Sequence, residues 1–303
     1  MQWINVENLF TTTKADINIL IFIDYFPNVI AFAKLVKQFF THWNEIIIVK
    51  NRFELSCYLL KKQPDSVFID SDYGLKGYLQ TLFFIGDVFV YDEGLGTYYV
   101  NSTTQNDSEL KKVIFKVLGI GGFVGGHYKT KGVYVYNTLY YQSQYPKYKG
   151  WVTPFQTDYL SFFQSQIDNL LIVMGVKDWD ILKIIDKKIA IYATHHHINN
   201  EISEYLYQNE HNFDFVFIKP HPHLIRFSHN LNLDSKFPLI TENIMLEALL
   251  IKLSINNTVT VLHESSTGCL YLPESESLHF INFGGFYYKA FIDFKKHFDS
   301  RTF

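Results

Sequence analysis

An α/β fold with two successive parallel-sheet lobes is what the sequence predicts, and three observations carry it. Short apolar runs such as Ile19-Leu20-Ile21-Phe22-Ile23 alternate with longer amphipathic stretches along most of the chain. Strands separated by helices need crossover connections, which produce parallel sheets covered on both faces. The alternation occurs twice, broken between Gly119 and Gly150 by paired glycines and a tyrosine-rich run. The length of 303 residues suits two domains at roughly 150 residues each. The expected boundaries are 1–152 and 153–303, the last helix being free to pack back onto the first lobe.

In the first lobe Asn18 to Ile23 reads as a buried strand. Pro27 then opens a helix through Phe40, because proline is tolerated in a first helical turn. Glu45 to Val49 is a strand and Phe53 to Leu60 a helix, followed by a strand at Ser66 to Ile69 and a helix over Leu75 to Phe84. Asp87 to Tyr91 is the fourth strand. Gly119 to Gly150 reads as irregular structure with short strands. Beyond a long helix from Thr157 to Val173, the second lobe predicts strands at Lys188–Ala193, Asp214–Ile218, Val259–Leu262 and Leu278–Ile281. Helices at Glu201–Tyr207 and Ile244–Ile251 complete it. Two such lobes are Rossmann-like and are expected to face each other across a cleft, with ligands beyond the carboxyl ends of strands.

Composition narrows the function classes. Hydrophobic residues are 48% of the chain and charged residues 19%, which supplies packed cores and leaves little room for disorder. A net charge of −3 excludes a broad, strongly basic nucleic-acid-binding surface. The two cysteines, Cys57 and Cys269, match no redox or metal spacing and read as free thiols of a reducing compartment. No apolar run approaches the length of a membrane span, and the first residues lack the pattern of a secretory signal. Twenty-eight phenylalanines and 21 tyrosines are the oddity, fitting a core, a carbohydrate surface or a membrane interface.

Three segments combine a strand exit with reactive side chains. The strand Val88-Phe89-Val90-Tyr91 ends in Asp92-Glu93-Gly94, two carboxylates with a glycine for the sharp turn. That is where a catalytic base is needed, although a solvated loop acid explains the same residues. The strand Phe215-Val216-Phe217-Ile218 ends in Lys219-Pro220-His221-Pro222-His223, where flanking prolines fix the backbone around an imidazole beside an ammonium group. Such a pair suits a phosphate leaving group; the bland alternative is a rigid surface loop. The strand Val259-Thr260-Val261-Leu262 runs into His263-Glu264-Ser265-Ser266-Thr267, whose hydroxyls can bond an anion or merely cap a helix.

Other groupings carry less. His195-His196-His197 are adjacent and lack a distant partner at ligand spacing, although they follow a strand and so border the expected ligand edge. Asp70-Ser71-Asp72 and Asp178-Trp179-Asp180 resemble metal-binding aspartate pairs but have no supporting ligand set. Gly119-Ile120-Gly121-Gly122 is no dinucleotide fingerprint, because no strand leads straight into it. No metal or resident cofactor is expected.

Taken in order, Asp92-Glu93-Gly94, His221-Pro222 and Ser265-Ser266 resemble the three motifs of bacterial sialyltransferases of the two-lobed glycosyltransferase B (GT-B) fold. The likeness is nearest to the lipooligosaccharide sialyltransferase family (glycosyltransferase family 52); capsule polysialyltransferases share the motifs. The resemblance implies inverting, metal-independent transfer of sialic acid from CMP-sialic acid to a terminal sugar, commonly galactose, of a bacterial surface glycan. On this likeness Asp92 is the general base and Glu93 supports it or orients the acceptor. His221 contacts the CMP phosphate, Ser265 and Ser266 hydrogen-bond it, and Lys219 adds charge. Pro222, His223, His263 and Thr267 complete the donor-binding set, and Gly94 makes the turn. His223 and His263 leave open which imidazole dominates at the phosphate.

The resemblance further implies an N-terminal acceptor-binding lobe, a C-terminal CMP-sugar-binding lobe, and partners limited to the CMP-sugar donor and an oligosaccharide or lipooligosaccharide acceptor. No nucleic-acid partner is expected, a homodimer stays open, and the setting is cytoplasmic or peripheral to the inner membrane. The aromatic, basic run Phe286 to Lys296 is the segment expected to touch that membrane, or else to pack on the protein. Tyr134 to Tyr148 and Asp24-Tyr25-Phe26 are the expected sugar-stacking surfaces. Alternatives are a transferase for another CMP-linked nonulosonic acid (pseudaminic, legionaminic) or Kdo, a glucosyltransferase using a nucleotide diphosphate sugar, and an inactive glycan-binding protein on the same fold.

Overall fold

The computed structural model describes residues 2–13, 15–24, 28–99, 108–195, 197–221, 224, 236–285 and 287–299. The expectations on Tyr25, Phe26, Pro27, Pro222, His223 and Phe286 therefore lie outside the described residues. Two compact units are present, Met1–Phe162 and Phe163–Phe303.

The first unit opens with a helix the sequence pattern did not announce, α1 (Gln2–Thr12). Strand β1 (Ile19–Ile23), helix α2 (Val29–Phe39) and strand β2 (Glu45–Val49) follow, with β1 and β2 paired in parallel. Helix α3 (Arg52–Lys62) starts on Asn51, whose side chain accepts the amide of Glu54 at 3.0 Å, while the Glu54 carboxylate accepts that of Lys50 at 2.7 Å. Such reciprocal capping satisfies amides a helix start leaves unpaired. Strands β3 (Ser66–Ile69), β4 (Asp87–Tyr91), β5 (Thr130–Val135) and β6 (Trp151–Pro154) form a parallel sheet in sequence order. Helices α4 (Gly74–Gln80), α5 (Leu95–Tyr98), α6 (Glu109–Val117) and α7 (Thr138–Gln144) lie in its connections. Among the described residues, β1–β2 and β3–β6 are separate sheets.

Helix α8 (Tyr159–Val173) carries the chain across the unit boundary. In the second unit β7 (Lys188–Ala193), β8 (Phe215–Lys219), β9 (Thr258–His263) and β10 (Leu278–Asn282) form one parallel sheet in the order β10-β9-β7-β8. Helix α9 (Asn200–Asn209) connects β7 to β8, helix α10 (Leu246–Ser254) precedes β9, and α11 (Tyr288–Asp299) follows β10. From β7 the chain therefore goes to one side for β8 and later to the other for β9. The gap between β7 and β9 is the topological switch point of a doubly wound sheet, where ligands bind beyond the strand ends.

Half of the tyrosines between Tyr134 and Tyr148 are core rather than sugar surface, a partial correction to the sequence reading. Tyr140, Tyr141 and Tyr145 are buried, and the Tyr145 ring stacks on Phe123 with centroids 4.3 Å apart. Helix α11 is likewise packed: Phe291 and Phe294 are buried, with the Phe294 ring 5.6 Å from that of Tyr271, and the Lys295 ammonium donates to the Leu272 carbonyl at 2.7 Å. Phe291 and Phe294 are thus packed against the second unit's own residues.

Candidate functional site

In the first unit, Asp92 follows β4 directly and is fully buried. Its Oδ1 accepts the Gly94 amide at 2.8 Å, a local turn that Gly94 permits by adopting φ 115, a region suited to glycine. Its Oδ2 accepts the Tyr98 hydroxyl and the Tyr136 amide, the latter at 3.2 Å. The Tyr98 hydroxyl in turn accepts the Asn137 amide at 3.1 Å, and the Asn137 side chain caps α7 through the Tyr140 amide at 3.0 Å. From α1, the Asn5 side chain donates to the Asp92 carbonyl and accepts the Tyr136 hydroxyl at 3.1 Å. Asp92 is the hub joining α1, β4, α5 and the β5–α7 turn.

That placement changes the division of labour between the two carboxylates. A general base must reach the proton it removes. Asp92 is sealed and already receives three donors, whereas Glu93 is partly exposed, its amide held by the Thr97 hydroxyl at 3.0 Å. Space beside Glu93 is set by Gly96, where a Cβ would stand 3.1 Å from Glu93 Oε1. Burial, with the charges of Asp70 and Glu93, pushes the Tyr91 phenol well above its usual range. Of the two carboxylates, Asp92 is thus held inside the fold and Glu93 is the more exposed.

In the second unit the strand register aligns the motifs. Ala193 pairs with Lys219 on one side and with His263 on the other. Adjacent strands lie about 4.8 Å apart, so the exits of β8, β7 and β9 span about 10 Å. Hydrogen bonds tie them together. The Thr194 amide donates to the Lys219 carbonyl at 3.1 Å, and the His221 amide to the Thr194 hydroxyl at 2.8 Å. The His221 and His195 rings lie 6.2 Å apart, with His197 6.0 Å beyond. The nearly buried Glu264 accepts the Asn199 side chain at 2.9 Å and sits 3.6 Å from the His197 ring nitrogen.

Residues of the third motif divide their tasks. His263 is fully buried; its Nδ1 accepts the Ser266 amide at 3.1 Å, and burial, with the charge of Lys295, lowers its pKa to about 3. It holds the turn from inside the fold as a neutral imidazole. Ser265 is buried in a left-handed conformation (φ 54), with its hydroxyl donating to the Gly284 carbonyl at 2.9 Å. Its donor is thus used inside the protein. Ser266 and Thr267 stay partly exposed, and a short 3₁₀ turn, Thr267–Cys269, stands where a helix start was expected. Lys219, at the tip of β8, donates to the Glu242 carbonyl at 2.9 Å, and burial lowers its pKa to about 8.

The remaining groupings have structural employment. Asp72 is buried and accepts the Gly125 amide, the His127 amide and the Thr130 hydroxyl at 2.7, 3.0 and 2.6 Å, stapling the glycine-rich loop. Asp180 is exposed and paired with Lys183 at 2.8 Å. Among the described residues no three acidic, histidine or cysteine side chains converge as metal ligands.

No protein-family model matches the chain, and no curated protein is significantly similar to it in sequence. Solved structures are similar in fold. An α/β-galactoside α-2,3-sialyltransferase from the luminous marine bacterium Photobacterium phosphoreum superposes with a TM-score of 0.53 at 12% identity, over 94% of this chain and 96% of that one. The UDP-GlcNAc 2-epimerase of Methanocaldococcus jannaschii, solved with UDP-GlcNAc and UDP, gives 0.52 at 14% identity, over 97% of this chain and 88% of that one. The fold is GT-B. At these identities the likeness concerns architecture alone, and the chemistry rests on the residues at the strand exits.

Proposed function

We propose that the protein is an inverting sialyltransferase that takes CMP-sialic acid as donor and a terminal sugar hydroxyl, galactose foremost, as acceptor. One observation carries the reading most: His221, His195 and Ser266 share one edge of the second sheet, beside its switch point, as a nucleotide monophosphate requires. The Photobacterium enzyme, of the same fold, supports the choice of reaction class. The motif resemblance to lipooligosaccharide and capsule sialyltransferases supports a bacterial surface glycan as acceptor.

In this mechanism the CMP phosphate lies against Ser266, Thr267 and the His221 imidazole. Lys219 contributes positive charge at the strand tip. As the glycosidic bond breaks, negative charge grows on the phosphate and an oxocarbenium-like sugar forms; hydrogen-bond donors fixed beforehand stabilise that charge without reorganising. Glu93 removes the proton from the attacking acceptor hydroxyl. Asp92, held by Tyr98, Gly94 and Tyr136, fixes the turn that presents Glu93. A general base of this kind supplies about 10²–10⁴-fold. A monophosphate leaving group needs no bridging cation, so transfer should persist in chelator. Incubation with a panel of CMP-linked sialic, pseudaminic and legionaminic acids, CMP-Kdo and UDP-GlcNAc tests the reading. Transfer from CMP-sialic acid to galactosides is the expected result, and turnover of UDP-GlcNAc alone would replace this reading with a UDP-sugar one.

A further inference from the structure

Beside the gap between β7 and β9 stands a carboxylate that the transfer mechanism does not use. Glu264 follows His263 at the exit of β9, and its side chain is only 8% exposed. Its Oε1 accepts the Asn199 side chain at 2.9 Å. Asn199 is fixed in that orientation, because its own Oδ1 accepts the amides of Glu201 and Ile202 at the start of α9. From the turn after β10, Gly285 closes in with φ 98, so near that a Cβ there would lie 3.2 Å from the Glu264 Cβ. Glu264 Oε2 is buried and has no hydrogen-bond partner among the described residues. An ionised carboxylate shut in this way is costly unless a positive group compensates it. Among the described residues the group at ion-pair distance is His197, whose Nε2 lies 3.6 Å from Oε1.

We infer that His197, held by Glu264, recognises the carboxylate of an acidic donor sugar. The inference rests on the proposed reading of this edge as a CMP-sugar site and names what selects the sugar. With Nε2 turned to Glu264, the second ring nitrogen is the one left for a ligand, and an imidazole donates from both nitrogens only when protonated. Glu264 supplies the negative partner of that protonated ring. The His197 side chain is 65% exposed and accessible, while Glu264 is shielded, so their attraction is screened less than in a surface pair. The rings of His221, His195 and His197 form a row, with successive centroids 6.2 and 6.0 Å apart. In the mechanism His221 meets the CMP phosphate. The anomeric carbon of CMP-sialic acid bears both the phosphate oxygen and the sugar carboxylate, so the donor brings two anions a few bonds apart to the two ends of this row. A neutral hexose on a monophosphate has no second anion to offer. His197 therefore selects ulosonic acids as a class, without distinguishing sialic, pseudaminic and legionaminic acids or Kdo. The second phosphate of a nucleoside diphosphate presents similar charge, and the experiment separates it.

Titration calorimetry of the full chain with CMP, with CMP-sialic acid in the absence of acceptor, and with CDP tests the assignment. H197Q should weaken CMP-sialic acid about 10–100-fold, the range of a charge-assisted hydrogen bond, and leave CMP affinity unchanged. E264Q should reproduce that selective loss and E264D should recover part of it, a pattern that lost packing alone does not give. Because His197 is exposed, H197Q keeps the test valid even where E264Q unfolds. Equal weakening of CMP and CMP-sialic acid by H197Q, or no change in either, would overturn the inference and leave the CMP-sugar reading in place. A loss confined to CDP would assign His197 to a second phosphate and overturn it as well. A folded wild type that binds no CMP would instead overturn the proposed function, and this inference with it.

Discussion

The phenol of Tyr98 donates its hydrogen to the buried carboxylate of Asp92 across the turn made by Gly94, and accepts the Asn137 amide in return. The carboxylate on the strand exit is thereby locked, and on the proposed mechanism its partly exposed neighbour Glu93 acts as the base. Tyr98→Phe removes one of the two donors to Asp92 Oδ2 and an acceptor of the Asn137 amide, and should cost about 1–3 kcal/mol of stability. Urea denaturation reads that loss, which should come with a modest drop in turnover.

Substitution of each carboxylate separates their tasks. Glu93→Gln should lower transfer about 10²–10⁴-fold and leave CMP affinity by calorimetry unchanged. Asp92→Asn should lower the melting temperature while retaining measurable transfer, because its amide meets donors where the carboxylate accepted them. A stable, inactive Asp92→Asn with an active Glu93→Gln would return the base to Asp92.

At the second sheet, Ser266→Ala and His221→Ala should each weaken CMP binding, by about 1–3 kcal/mol for a charge-assisted hydrogen bond. Ser265→Ala should act on stability more than affinity, since its hydroxyl is given to Gly284. Titration calorimetry with CMP beside thermal melts distinguishes the two patterns.

Lys219 sets an alkaline limit. Its pKa is lowered to about 8, so its charge fades as pH rises through that value. Donor KM should climb between pH 7 and 9, and Lys219→Gln should start from a high KM and lose this trend. Stability moves the other way. Between about 8 and the unfolded lysine value near 10.4 the unfolded chain holds the extra proton, so raising pH favours the native state there.

His263 makes the fold sensitive to acid. Its pKa of about 3 lies below the ordinary histidine value of about 6.5, so in that window the unfolded chain binds the proton and the native one does not. Acidification from pH 6.5 toward 3 should therefore destabilise the protein, by about 2 kcal/mol at pH 5 from this residue alone. His127, lowered to about 4 chiefly by burial, pulls in the same direction. Melting curves across pH 4–7 check the slope, and His263→Asn should flatten it.

Strands were the legible part of the fold, since runs such as Asp87–Tyr91 and Lys188–Ala193 are apolar, short and bounded by polar residues. Helix α1 escaped because Trp3, Ile4 and Leu9 are interleaved with Asn5, Glu7 and Asn8, which are themselves buried. Glu7 accepts from the indole nitrogens of Trp3 and Trp43, and Asn5 serves the Asp92 turn, so polar residues occupy what pattern reasoning takes for the solvent side. The motifs could be placed on strand exits from sequence, yet not the inward or outward turn of each side chain. Asp92 against Glu93 and Ser265 against Ser266 are decided by partners far along the chain, among them Tyr136 and Gly284. Tyr98 and Asn137 carried no sequence signal beyond their nearness to that motif and to a helix start.

Mass-spectrometric analysis of the products formed from CMP-sialic acid and a set of galactosides, by the wild type and by Glu93→Gln, tests the central claim most directly. A sialylated galactoside with inverted anomeric configuration and released CMP is predicted for the wild type, at a rate lowered about 10²–10⁴-fold in the variant. Absence of any sialylated product from a folded wild-type protein, or equal rates in the two, would contradict it.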